Sequence, residues 1–164
     1  MKRTTLIVLA SVLVAVTLIA IGTMTFIHDA DAFPFRCSTS THYDLSRKEG
    51  SHNEFALIMD LRFQDKTSGY LLLNGQVNYG NVVATLNRRI ILNQGDKIDY
   101  DTYHYHIENI VTSPTDNTPD AVFNDLLAEL TLDPSYLQWD VVQVDTRTYL
   151  IGGPLSYLFT CQRY

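Results

Sequence analysis

Hydrophobic and polar positions divide the chain into one long apolar block and a series of short alternating runs. Residues 4–27, TTLIVLASVLVAVTLIAIGTMTFI, carry no charge and follow only Met1, Lys2 and Arg3. As a helix rising about 1.5 Å per residue, such a block is long enough to cross a hydrocarbon core of roughly 30 Å. The expectation is a transmembrane helix over 4–27 with residues 1–3 as a cytoplasmic stub, because basic flanks are retained on that side. Residues 28–36 then make a stalk, where Pro34 stops the helix from running on. Residues 37–164 follow as one extracytoplasmic domain. The competing reading is a signal peptide cleaved after Ala32, since Ala30-Asp31-Ala32 has the small-x-small pattern of a processing site. The length of the apolar run favours a retained signal anchor.

Beyond the stalk the period changes to two. From Glu54 to Gln64, Phe55, Leu57, Met59, Leu61 and Phe63 alternate with Glu54, Ala56, Ile58, Asp60, Arg62 and Gln64, which predicts a strand with one buried face. Cys37–Ser46 reads as a strand before it. Lys66-Thr67-Ser68-Gly69 reads as a turn, then Tyr70–Tyr79 as a strand interrupted at Asn74-Gly75 by a bulge or tight bend. Gly80-Asn81 turns into Val82–Leu92, and Gln94-Gly95-Asp96 turns into a long strand over Lys97–Thr112. Connections this short force antiparallel neighbours. Within Ser113–Leu132 the pattern becomes helical: Thr118 is placed to cap, Pro119 fits the first turn, and Asp120 meets the positive end of the dipole. Val122, Phe123, Leu126, Leu127 and Leu130 share one face. Past Pro134, strands are expected at Tyr136–Asp145, Thr148–Ile151 and Ser156–Arg163, broken by Gly152-Gly153-Pro154. The fold class is mainly β (α+β). Seven or eight strands in a meander remove their two edges by closing into a small barrel, with the helix plugging or flanking it.

Charge narrows the partners. All 18 acidic residues and 10 of the 12 basic ones lie beyond position 28, a formal charge near −8 for the exported part. Such a domain repels nucleic acid phosphates and anionic lipid surfaces. The two cysteines, Cys37 and Cys161, bracket the domain, and in an oxidising compartment an even pair predicts a disulfide. Ten tyrosines and seven phenylalanines would fill a small barrel; the same residues could instead line an apolar ligand cavity with a polar rim.

Candidate chemistry is sparse. In Asp99-Tyr100-Asp101-Thr102-Tyr103-His104-Tyr105-His106, the two histidines fall on one face of a strand, as a pair of metal-binding imidazoles would. Two ligands do not make a site, and no HExxH or CxxC spacing supplies a third, so His104 and His106 are weak metal candidates beside a plainer reading as a His- and Tyr-rich surface. Histidine titrates near neutrality, which also allows a pH-responsive face. No nucleophile elbow is present, and Gly152-Gly153-Pro154 leads into a strand rather than a phosphate-binding helix. The expectation is a protein that is not an enzyme and carries no cofactor.

The pattern as a whole resembles the FidL-like family of enterobacterial membrane proteins. The resemblance rests on the Lys2-Arg3 start with its anchor, Cys37, Gly75, Arg88-Arg89 before Ile90, and Ser113-Pro114 with Asp116 and Pro119 ahead of the helix. It continues in Tyr149-Leu150-Ile151 and Leu158-Phe159-Thr160-Cys161. Members are generally encoded beside membrane-spanning regulators of the ToxR or CadC type and look like counterparts of ToxS and VtrC. The resemblance implies a single-pass inner-membrane protein, N-terminus cytoplasmic. Its periplasmic, lipocalin-like barrel would bind a membrane-bound winged-helix transcription regulator and stabilise or tune it. The alternative it leaves open is a periplasmic lipocalin-like binding protein or sensor for a lipophilic molecule such as a bile salt. With three residues in the cytoplasm, this chain itself has no means of touching DNA.

Overall fold

The computed structural model of the chain describes residues 12–21, 33–46, 52–154 and 156–164. The chain divides into two units, Met1–Phe33 and Pro34–Tyr164. In the first, residues 12–21 form helix α1 with every side chain exposed. Thr17 Oγ1 donates to Leu13 O and Val14 O at 3.1 and 2.8 Å, so its hydroxyl is satisfied within the helix. No helix among the described residues is long and apolar enough to cross a membrane. The rest of the expected 4–27 span, and the segment around Ala32, lie outside the described residues.

The second unit is a closed antiparallel barrel of eight strands in sequence order: β1 (Phe35–Asp44), β2 (Asn53–Phe63), β3 (Gly69–Tyr79), β4 (Val82–Lys97), β5 (Thr102–Thr112), β6 (Tyr136–Gln143), β7 (Thr148–Gly152) and β8 (Tyr157–Arg163). Helix α2 (Asp120–Leu130) comes between β5 and β6. Alternation in the sequence becomes inside and outside. On β2, Phe55, Leu57, Met59, Leu61 and Phe63 are buried, while Ala56 and Ile58 are exposed. At the end where β1 begins, the core is aromatic. Phe35 meets Tyr149 edge-on at 4.9 Å, Phe63 lies 4.9 Å from Tyr105, and Trp139 makes edge contacts with Phe63 and Phe159. Phe35, Phe55, Phe63, Tyr105, Phe123, Trp139, Tyr149 and Phe159 are buried, whereas Tyr100, Tyr157 and Tyr164 are exposed. α2 contributes Phe123, Leu126, Leu127 and Leu130 to the core, with Val122 half-buried.

Three local expectations are corrected. Gln94-Gly95-Asp96 is not a turn, because β4 runs on through it to Lys97 by way of register shifts against β5, with Gln94 at φ 50. Gly95 is required there: a Cβ would come within 2.3 Å of both the Tyr105 ring and Lys66 O. The reversal falls instead at residues 98–101, so β5 starts at Thr102 rather than Lys97. Asn74-Gly75 makes neither bulge nor bend, since Leu57↔Gly75↔Leu86 stay in unbroken register. Gly75 serves a close approach, where a Cβ would lie 2.0 Å from Ala56 O. Finally, Pro119 occupies the N-cap with no side-chain cap, and Thr118 Oγ1 donates to Thr85 O at 3.0 Å instead.

Closure is uneven around the barrel. β1 and β2 pair along all ten residues of β1, whereas β1 and β8 pair only at Cys37↔Arg163 and Ser38↔Gln162. Cys37 and Cys161 form a disulfide at this seam, with Cα atoms 5.5 Å apart and a sequence separation of 124. Tyr164 adds a clasp: its N–H donates to Arg36 O, and its hydroxyl donates to both oxygens of Asp60.

Candidate functional site

Three places in the barrel gather polar side chains: the outer face of β5, the junction of β4 with α2, and the seam of β1 with β8. On β5, His104 and His106 do share the outer face. His104 stacks on Tyr136 with ring centroids 4.8 Å apart, and His106 meets the same ring edge-on at 5.4 Å. His106 Nδ1 is 3.1 Å from Asn93 Oδ1. Across the ladder, His104 faces Asp96 and Gln138, so a single carboxylate stands opposite the pair. Among the described residues no group of three or more His, Cys, Asp or Glu is arranged to hold a metal ion. The pair is held as an aromatic stack on a strand surface.

The junction of β4 and α2 is the more heavily built. Arg88 points inward from β4 and is 5 % exposed. Its Nε donates to Asp116 Oδ2 at 3.2 Å, its Nη1 to Asp120 Oδ1 at 2.8 Å, and its Nη2 to Thr118 O at 2.7 Å. The guanidinium also lies 4.4 Å over the Phe123 ring. A planar fork with five donors suits this task where a lysine would not. Asp116 Oδ2 further accepts Asn87 N–H at 2.8 Å, and Asn117 Oδ1 accepts Thr85 N–H at 2.6 Å. The loop before α2 therefore covers the β4 edge that β5 leaves unpaired beyond Arg88↔Thr112. At mid-helix, Asn53 Nδ2 donates to Asp125 Oδ2 at 2.9 Å, and past the helix Thr131 Oγ1 donates to Asp133 O and Tyr136 O. α2 is tied along its whole length.

Among the described residues, buried Trp139 Nε1, within the aromatic end, makes no hydrogen bond, and Thr41 Oγ1 faces inward from β1 beside the Tyr43 hydroxyl. Nearby, Tyr43 donates weakly to Met59 Sδ at 3.8 Å, and burial pushes its phenol up to about 12. Burial likewise raises Tyr105. A small crevice lies between the end of α2 and the segment joining β7 to β8, lined by Glu129, Thr131, Leu132, Gly153, Pro154 and Leu158.

Sequence reasoning placed the histidines together and paired the cysteines, and both hold. It attached no physical role to Arg88 and Asp116, which the fold joins into one junction. The signal for that role was faint, a basic residue on an inward-facing strand position. No curated protein and no solved structure matches the chain. A family model described as FidL-like putative membrane protein matches residues 75–161. That stretch contains Gly75, the Arg88 junction, α2, and β6 to β8 as far as the second cysteine. More than half of the chain thus fits one description, and the protein belongs to the FidL-like membrane protein family.

Proposed function

We propose that this chain is a non-enzymatic, single-pass inner-membrane accessory protein. Its periplasmic barrel binds a ToxR- or CadC-like transmembrane regulator and stabilises or tunes it. The observation that carries this reading is membership of a membrane protein family, matched from the middle of β3 into β8. Two features support it. Exposed Val12, Leu13, Val14, Leu18 and Ile19 on α1 suit lipid, as does a threonine hydroxyl satisfied by its own helix. A disulfide closing the barrel suits an oxidising compartment. Anchoring by residues 4–27 then leaves contact with a second chain as the route to transcription.

A carrier of lipophilic molecules needs an open lumen, and the aromatic end of this barrel is filled by its own side chains. The packing supports docking over carrying.

The deciding experiment is crosslinking in intact cells followed by mild-detergent purification of the full chain. Recovery of the neighbouring regulator, and a fall in its level when this chain is deleted, is the expected result. A mature N-terminus at Phe33 with no regulator recovered would overturn the proposal.

A further inference from the structure

At the end of the barrel where β1 begins, three connections reverse the chain, at residues 64–68, 98–101 and 144–147. Two of them are built alike. In Ile98-Asp99-Tyr100-Asp101-Thr102, the N–H groups of Ile98 and Asp99 donate to Thr102 O, Thr102 N–H donates to Asp99 O, and Asp99 Oδ1 accepts Tyr100 N–H at 2.7 Å. Val144-Asp145-Thr146-Arg147-Thr148 repeats each of these bonds, with Thr148 in the place of Thr102 and Asp145 Oδ1 accepting Thr146 N–H at 2.6 Å. Val141 N–H donates to Asp101 O, so the two turns stand side by side. A turn closed in this way presents its side chains without a further cost of ordering backbone. What these two present is apolar: Ile98, Tyr100 and Val144 are each more than half exposed.

Exposed apolar residues are ordinary by themselves, and Val82 and Val83 are exposed at the opposite end. Charge separates the two ends. Residues 108–133, which include α2, hold six acidic residues and no basic one. Arg36, Arg163 and the segments 64–68, 96–101 and 144–147 hold five acidic and five basic residues between them. Lys97 Nζ lies 5.4 Å over the Tyr100 ring, so a cation and an aromatic share the tip of one turn. The chain also enters at this end. Arg163 N–H donates to Arg147 O, and Arg163 pairs with Cys37, two residues after the start of β1. Only residues 28–33 separate the apolar run 4–27 from Pro34, a reach of about 20 Å when fully extended.

We infer that the turns at 98–101 and 144–147 dip into the interfacial layer of the bilayer that anchors the chain, with Ile98, Tyr100 and Val144 seated between headgroups. The contact rests on the anchored reading above and adds to it one fixed end of the barrel against lipid. Tyrosine joins an apolar ring to a polar tip, the combination enriched at this depth of a membrane. Lys97 and Arg147 meet headgroup phosphates, while Asp99 and Asp101 meet the ammonium groups, so the occupant is a zwitterionic phospholipid surface. An anionic surface would attract the basic residues and repel the acidic ones beside them. The α2 end, with its unbalanced negative charge, is thereby turned away from lipid and left for a second chain.

The test uses the full chain in nanodiscs of phosphatidylcholine and phosphatidylethanolamine, doped with a lipid that carries a gadolinium chelate on its headgroup. Paramagnetic broadening should be strong at the amides of Ile98, Tyr100 and Val144 and slight at Gly80 and Asn81, in the turn at the opposite end. Ile98→Asn, Tyr100→Asn and Val144→Asn combined should reduce the broadening at these turns by about threefold or more, because the apolar grip on the interface is gone. Val83→Asn should change nothing, and an unaltered spectrum of β2 to β4 reports that each variant folds. Replacing a third of the lipid by phosphatidylglycerol should not strengthen the contact. Equal broadening at both ends of the wild-type barrel would overturn the proposal, and this measurement needs no variant. So would broadening that the triple variant leaves intact, a contact that appears only with phosphatidylglycerol, or a triple variant that loses the co-expressed regulator while keeping its lipid contact, since the turns would then meet protein. A chain that is not retained in the nanodisc sinks the anchored reading and this contact together. One that shows the contact but recovers no regulator sinks the accessory role and leaves the lipid-facing turns standing.

Discussion

Arg88→Ala would leave Asp116, whose side chain is 1 % exposed, without its guanidinium. Removing one member of a buried pair costs about 3–5 kcal/mol, because the remaining charge is stranded away from water. Asp120 touches the same guanidinium but is 86 % exposed, so Asp120→Ala should cost about 0–1 kcal/mol. Denaturant midpoints of the two variants, measured on the full chain in detergent, separate these outcomes. If both fall equally, burial is not what makes the junction matter. In the sequence, Arg88 and Asp116 are 28 positions apart and nothing local relates them. Thr118 shows the same limit from the other side: its position suits a helix cap, but Thr85 O, 33 residues away, takes the hydroxyl.

Among the elements, β1 and β8 depend most on covalent help, since two residue pairs and the Tyr164 clasp join them. Replacing Cys37 and Cys161 together by serine should destabilise the barrel by about 3–5 kcal/mol, the chain-entropy value for so long a loop. Amide exchange should rise first in β8 and at Cys37 and Ser38, while β2 to β4 keep their protection. Uniform loss across all eight strands would mean the seam is not the weak point. β2 was legible in full because its period is two and its faces differ. The β4 bulge was not, because Gln94-Gly95-Asp96 has turn chemistry and only the Tyr105 ring and Lys66 carbonyl, brought there by other strands, keep the chain extended.

For the molecule as a whole, alkaline pH probes how tightly the barrel is closed. Tyr43 has its phenol raised by burial from 10.0 to about 12. Below pH 10 the phenol is neutral folded or unfolded. Between pH 10 and 12 the unfolded phenol ionises while the folded one holds its proton, so stability falls as pH rises. Tyr43→Phe should flatten that alkaline decline, and tyrosinate absorbance should show Tyr43 ionising after the exposed tyrosines. An unchanged alkaline limb would place Tyr43 in water. The acidic balance acts at the same level, as a formal charge near −8 on the part beyond position 28.

Composition and period alone settled that this is an acidic, antiparallel, strand-rich domain with one amphipathic helix and a cysteine pair. Those properties follow from residue type and short spacing, which the linear chain carries in full. Closure made the remaining decisions. Which glycine must yield to a carbonyl, which carboxylate meets Arg88, and where β8 leaves β1 all depend on backbone segments tens of residues apart arriving at one point. No local pattern encodes those distances.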